Sequence, residues 1–226
     1  DNNLESKISV PFTNTPHGFG NLLDREEFLF LHQDPRIASI CESIFKTKNF
    51  AYNHLIVHNK PAWVGIGHEW HQESSNIKSF APGKNWKSHW KDFLQIFVPI
   101  DEHRLDNGCL KLIPGSHKLG LLEHEDIVTA QLSHKRRIKS YCLQKAADQL
   151  GVVNCEVNPG DVIFFNHLIA HGSSNNNSGK RRRVAVMQAR KDNFVKDEKI
   201  LKEELNYRVD FAISSLEARV KEHKRT

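Results

Sequence analysis

From Phe50 to Ala189 the chain reads as a succession of short apolar or alternating runs: Phe50 to His58, Trp63 to Gln72, Phe93 to Ile100, Cys109 to Ile113, Val152 to Val157, Asp161 to Phe165 and Arg183 to Ala189. Pro61, Asn107-Gly108, Pro114-Gly115 and Pro159-Gly160 punctuate them. Proline lacks the N–H that a sheet ladder uses and glycine accepts the positive φ of tight turns, so such pairs stop strands. Short strands separated by turns bury their apolar faces against one another, which predicts a mainly β sandwich or jelly roll with flanking helices. A chain of 226 residues, 38% of them hydrophobic, holds one core, and the expectation is a single domain over 1–226.

The flanks read as helical. Within 1–49, Asp24-Arg25-Glu26-Glu27 has the form of a capping box opening a helix through Leu31. Asp34-Pro35 then restarts it, with Asp at the N-cap and Pro at the first helical position. Ile37, Ile40, Cys41, Ile44 and Phe45 follow at helical spacing and predict one apolar stripe lying on the core. Beyond Asn193, Leu205, Val209, Ala212, Leu216 and Val220 predict a helix within 191–226 packed on the outside of the 50–190 core. Two interruptions of that core, 74–91 and 118–151, are long for a compact domain and predict lids or binding loops. The second includes a helical-looking Leu143 to Leu150.

Lys plus Arg number 32 against 27 acids, a net charge of +5, with basic runs at His134 to Arg137, Lys180 to Arg183 and Lys221 to Arg225. Such an excess attracts anions, from metabolites to nucleic acid. No aromatic-and-basic single-strand platform or DNA-binding motif accompanies it, so no nucleic acid is expected as a partner. Cys41, Cys109, Cys142 and Cys155 are widely spaced without a Cys-x-x-Cys pair, which indicates neither a zinc knuckle nor a disulfide framework and places the chain in reduced cytosol. The longest apolar run, around Ile96 to Ile100, is too short to cross a bilayer, and no signal peptide is visible. The start at Asp1-Asn2-Asn3, without Met, leaves room for an upstream segment.

The chemistry-bearing stretch is Gly67-His68-Glu69-Trp70-His71-Gln72-Glu73-Ser74. In a strand, His71 and Glu73 share a face and lie roughly 6 to 7 Å apart at Cα, so one segment can offer an imidazole and a carboxylate to one metal ion. Two histidines and one carboxylate on one face suit Fe(II) and leave positions for substrate and O2. Alone, the pair is equally well read as an exposed strand edge, because 14 histidines and 27 acids generate such pairs by chance. His68, three residues from His71, is expected on the opposite face of the strand.

Taken with Asn107-Gly108-Cys109-Leu110-Lys111-Leu112-Ile113-Pro114-Gly115-Ser116-His117-Lys118-Leu119-Gly120, Gly160-Asp161, His171-Gly172-Ser173 and Arg182, the His71-Gln72-Glu73 stretch resembles the phytanoyl-CoA dioxygenase family over about Phe50 to Ala189. That family consists of Fe(II)- and 2-oxoglutarate-dependent oxygenases on a double-stranded β-helix. The resemblance implies that His71, Glu73 and His171 hold iron, and that Arg182 and the Ser173 hydroxyl bind the distal carboxylate of 2-oxoglutarate. A guanidinium fork suits that carboxylate in its own right, and alternation turns Arg183 to the other face. The family's strand lining the co-substrate pocket is similar to His54 to Pro61, which implies inward His54, Ile56 and His58, with Gln95 and Phe97 on a comparable inward stripe. Glu73 departs from the family's usual Asp by one methylene, and a carboxylate at this position argues against halogenation.

The implied activity is hydroxylation of a small-molecule metabolite with 2-oxoglutarate and O2 as co-substrates, releasing succinate and CO2. Lys84, Trp86, Lys87, Trp90, Lys135, Arg136 and Arg137 in the two interruptions favour an anionic or zwitterionic substrate, against the plainer reading that Lys135 to Arg137 solvate a surface helix. Two alternatives stand beside this: a 2-oxoglutarate oxygenase directed at nucleic acid or protein, and a non-catalytic jelly-roll binding module.

Overall fold

A computed structural model of the chain describes residues 22–23, 25–73, 92–127 and 136–191. The segment 74–91, residues 128–135 and the expected C-terminal helix lie outside the described residues, as does Asp24. The helical N-terminal part starts as a 3-10 turn, Glu26–Phe28, with Arg25 at its N-cap giving no side-chain hydrogen bond, and continues into α1, Leu29–His32. Helix α2, Pro35–Phe45, starts as the sequence predicts: Arg36 N–H donates to the Asp34 carboxylate at 2.8 Å, with Pro35 in the first turn. Its buried stripe is narrower than the periodicity predicts. Ile37, Cys41 and Phe45 are buried, whereas Ile40 and Ile44 stay 40% and 49% exposed, because a helix on a flat sheet touches it along one line of i, i+4, i+8 positions.

Ten strands follow in order: β1 Phe50–Lys60, β2 His68–His71, β3 Phe93–Pro99, β4 Leu110–Leu112, β5 His124–Asp126, β6 Arg136–Ile138, β7 Val153–Cys155, β8 Ile163–Asn166, β9 His171–Ser173 and β10 Arg182–Lys191. They form a major sheet in the order β1-β10-β3-β8 and a minor sheet in the order β2-β9-β4-β7, with antiparallel pairing throughout. A ribbon of β5 with β6 stands apart from both. The two sheets make the expected double-stranded β-helix. The expected strand from Trp63 shrinks to β2, because Pro61 to Val64 turn instead: Trp63 takes a left-handed φ of 65° and Gly65 N–H donates to the Pro61 carbonyl at 3.0 Å. Helix α3, Ser140–Leu150, begins three residues before the expected stretch.

Each sheet is covered by one helix. Ile37, Cys41 and Phe45 of α2 pack with Leu55, Val57, Leu94, Ile96, Ala185 and Met187 on the outer face of the major sheet. Ala146, Leu143, Ala147 and Leu150 of α3 pack with Ile113, Ile138 and Ala170 behind the minor sheet. A third cluster, Leu110, Phe165 and Ile169 with Phe97 and Ile163, fills the space between the sheets. Strand alternation therefore gives each strand of the major sheet one side facing α2 and one facing the interior, where Lys60, Arg182 and Gln95 are 1%, 4% and 5% exposed. Among the described residues no helix is long and apolar enough to cross a membrane. The four cysteines are free thiols.

Candidate active site

Strands β2 and β9 pair antiparallel, so that His71 stands opposite His171 and His68 opposite Ser173. Directly paired residues on neighbouring strands share a face. Three steps along β2 match two along β9, so a bulge lies between His68 and His71 and turns both imidazoles to the same side. His68 is thus on the interior face and not on the opposite one as simple alternation predicts. Its ring meets that of His58 edge-on, at 5.2 Å between centroids.

The rings of His71 and His171 are 4.1 Å apart at their centroids, and both side chains are buried. Each Nδ1 lies against the carbonyl two residues back: 2.7 Å to Glu69 O and 2.9 Å to Ile169 O. A carbonyl only accepts, so each Nδ1 carries a proton and Nε2 is the ring atom each histidine can offer to a metal, an assignment made from the network. Both Nε2 atoms lie 3.4 Å from Glu73 Oε1. Burial, and then the neighbouring His71, hold His171 below the ordinary imidazole range, which favours the neutral ligand form.

The three ligand atoms lie within 4.8 Å of one another. Ligands in adjacent positions around an ion, with bonds of about 2.1 Å, stand about 3 Å apart, so these atoms converge as a metal requires. Two imidazoles and one carboxylate on one side fit Fe(II) with open positions, and Glu73 reaches both histidines despite its extra methylene. Phe165 closes one flank, 4.8 Å from the His171 ring, and Phe97 packs behind it at 5.2 Å.

Two buried tethers set this geometry. Gln72, fully buried between the two ligands, donates through Nε2 to the carbonyls of Gly120 at 2.9 Å and Leu168 at 2.6 Å, and its Oε1 accepts from Leu122 N–H at 2.8 Å. Ala170 N–H donates to the buried Ser116 hydroxyl at 2.8 Å, and Ala170 O accepts from Ile113 N–H at 3.0 Å. The Pro-Gly-Ser-His turn thereby holds the residue just before His171, while His117 joins no ligand group.

A second buried constellation lies where β1 and β10 pair, with Lys60 opposite Arg182. Burial pulls the Arg182 guanidinium down to about 10; its Nη1 lies 3.4 Å from His103 Nδ1, and its Nε has no hydrogen-bond partner. His103 is itself pushed down to about 4 by burial and then by Arg182, and its Nε2 lies 3.2 Å from the Arg183 carbonyl. Nε2 must then carry the proton, which leaves Nδ1 to accept from Arg182. Lys60 Nζ donates to Ser173 Oγ at 2.8 Å, to Gly108 O at 3.4 Å and to Ser174 O. Gly108, at φ 75°, is required here, since a Cβ would collide with the Ser174 carbonyl.

The neighbouring basic residues are differently occupied. Arg181 is exposed, and Arg183 is half-buried with a two-pronged ion pair to Asp101 at 2.9 Å on each prong. Arg136 and Arg137 sit on β6 and pair with Asp126 at 3.1 Å and Glu125 at 2.6 Å across the ribbon, so this run is a strand, not a surface helix, and its charge is matched. Lys84, Trp86, Lys87, Trp90 and Lys135 lie outside the described residues.

The structure brings His71, Glu73 and His171 together and sets Arg182 and Ser173 beside Lys60. His58 lies near Ser173 through His68. His54 and Gln95 both pair with Gln188, about 20 Å along β10 from Arg182, and Gln95 is thus at the far end of the interior and not at the Arg182 end. Nothing is described of the His54 side chain. The buried Gln95 carbonyl has no hydrogen-bond partner. Lys60, Gln72, His103 and Ser116 are the functional-looking residues that motif spacing did not single out; only their burial, once the fold is known, marks them.

Comparison with known proteins gives a consistent picture. The model of the family described as "Phytanoyl-CoA dioxygenase (PhyH)" matches residues 5–184. The chain is 32% identical over 91 residues to "Dioxygenase lolE1" of Epichloe uncinata, covering 40% of this chain and 30% of that one. It is 25% identical over 163 residues to the "L-proline trans-4-hydroxylase" of Streptomyces griseoviridis, covering 68% and 59%. In fold it is similar to EctD from S. alaskensis, solved with 2-oxoglutarate and 5-hydroxyectoine, at a TM-score of 0.65 and 18% identity over 84% of this chain and 64% of that one. The chain spans between 30% and 59% of the length of these two curated relatives.

Proposed function

This chain belongs to the phytanoyl-CoA dioxygenase family, and on that premise we propose that it is an Fe(II)- and 2-oxoglutarate-dependent oxygenase that hydroxylates a small metabolite. The observation that carries the reading is the convergence of both imidazole Nε2 atoms on Glu73 Oε1 at 3.4 Å. In this reading His71, Glu73 and His171 hold the iron, and Arg182 with Ser173 receives the distal carboxylate of 2-oxoglutarate. The 50–190 core carries this chemistry within one domain.

The bound iron supplies the oxidation in which substrate C–H, 2-oxoglutarate and O2 become substrate C–OH, succinate and CO2. The chain's own part is to hold and orient. The Glu69 and Ile169 carbonyls fix both imidazoles with Nε2 inward, so each ring is held with that atom toward the metal position. Phe165 and Phe97 keep water from the iron's flank. The far end of the interior, with Gln95 and Gln188, faces the substrate, and the buried Gln95 carbonyl, without a hydrogen-bond partner among the described residues, suits a polar ligand.

The relatives named for proline and crystallised with hydroxyectoine support a small zwitterionic substrate. The described arginines of the second interruption lend that idea no free charge, since both pair within their ribbon. The same pairing, with Arg182 buried and Arg183 held by Asp101, weighs against a nucleic-acid-directed oxygenase. A binding module would have no use for a converging ligand triad.

Anaerobic addition of Fe(II) and 2-oxoglutarate tests the proposal. A weak visible charge-transfer band, followed by succinate release stimulated by some member of a panel of amino acids and organic acids, is the expected result. Metal binding without any band would leave the triad and remove the co-substrate.

A further inference from the structure

Lys60 is 1% exposed, yet among the described residues its ammonium has no carboxylate beside it. Arg182 stands opposite it on β10, and the charges of Lys111 on β4 and of Cys109 just before β4 act on it, with His103 close by. The carboxylates nearest in effect are engaged elsewhere: Asp101 with Arg183, and Glu156 with the Leu105 N–H at 2.9 Å. Two buried cations side by side without a counter-charge are costly unless something else supplies it.

The oxygens around Lys60 Nζ number three, Ser173 Oγ, Gly108 O and Ser174 O, which matches the three N–H groups of an ammonium. Ser173 Oγ accepts a second hydrogen bond from His68 N–H at 3.2 Å. A hydroxyl oxygen has two lone pairs, and both are then used. Its hydrogen is the only hydrogen-bonding capacity left, and it can only be given.

We propose that Lys60 is the positioning residue of a dicarboxylate seat: it compels the Ser173 hydroxyl to act as a donor toward a carboxylate, and its charge, with that of Arg182, is neutralised by that carboxylate. This rests on the proposed use of 2-oxoglutarate and assigns a residue to its distal end. Burial, and then Arg182, pull the empty seat's Lys60 down to about 6. A carboxylate arriving beside it raises that value again, so above about pH 6 anion and proton bind together. Affinity is then greatest at or below about pH 6 and declines as pH rises through neutrality, the direction expected when the bound form holds the extra proton.

Glutarate tests the seat without the metal, because it keeps the distal carboxylate and lacks the 2-oxo group that would chelate iron. Calorimetry on the full metal-free chain at pH 7.5, in two buffers of different ionisation heat, should show binding with uptake of a fraction of a proton. Lys60→Met should weaken glutarate roughly 10-fold or more and abolish the uptake, by analogy with loss of a charge-assisted hydrogen bond. Ser173→Ala should weaken it less and keep the uptake, and the double variant should lose less than the product of the two single losses. Uptake in the wild type needs no variant: its absence between pH 6 and 8 overturns the proposal, as does a folded Lys60→Met chain that binds glutarate like the wild type. Glutarate binding through Lys60 in a chain inert to Fe(II) and 2-oxoglutarate would keep the seat and remove the oxygenase reading. Turnover indifferent to Lys60 would do the reverse.

Discussion

The metal-ligand triad and the Lys60–Arg182 seat meet on one short strand, each taking one residue from β9, His171 and Ser173, roughly 7 Å apart, yet they are built with opposite charge deficits. The triad turns two imidazole nitrogens and one carboxylate on a single point and asks for a cation. The seat sets a guanidinium and a lysine against backbone carbonyls and a hydroxyl and asks for an anion. Neither is satisfied by the protein alone, which distinguishes both from Arg183–Asp101 or Arg137–Glu125, where the chain supplies both partners. The pair teaches that buried charge left open on purpose is the mark of a site, while matched charge is the mark of a strut.

The contrast can be broken at either end. Replacing His171 or Glu73 by Ala should cost the largest effect, roughly 100-fold or more in Fe(II) affinity by equilibrium binding, since even outer partners of metal ligands cost 10- to 100-fold. Glutarate binding by the same variants should be unchanged, and a shared loss would mean that the two regions are one. Next, Arg182→Lys keeps charge and loses the fork, so 2-oxoglutarate should bind about 10-fold more weakly, a loss of about 1.5 kcal/mol or more. Arg183→Lys, its adjacent control, should change that affinity by no more than about twofold. Smallest is the expected effect at a strut: Arg137→Gln removes a partly exposed ion pair and should leave the unfolding midpoint nearly unmoved, with Fe(II) and glutarate affinities unchanged. A large loss of substrate-stimulated turnover in that variant would restore the charged-lid idea.

Legibility in the sequence followed the same divide. His71 and Glu73 are two residues apart, so local spacing alone pairs them; His171 and Arg182 needed the family's order of motifs to be joined to them. The long runs of β1, β3 and β10 were visible because several alternations repeat. Strand β9 and the β5–β6 ribbon are three residues each, too short to repeat anything, and they form only because partners exist across the sheet. His68 was misplaced because a bulge adds one residue, and one residue reverses every later side chain. Lys60 was hidden for a related reason. In sequence it is a lysine before a proline, the usual look of a solvated turn, and only its pairing with Arg182 makes it a buried charge.

Gln72 carries a consequence for timing. By bonding to Leu168, it links the strand of the first two ligands to the segment that delivers the third, across a sequence separation of 96 residues. During folding, a metal ion that meets the chain before this closure finds only His71 and Glu73, two ligands on a loose strand, and leaves as easily as it came. The three-ligand set exists only in the chain whose clasp is shut, where Phe97 and Phe165 pack beside it. The chain thus ties possession of a redox-active ion to completion of its own barrel, so that a half-made molecule is not left holding a reactive metal in the open.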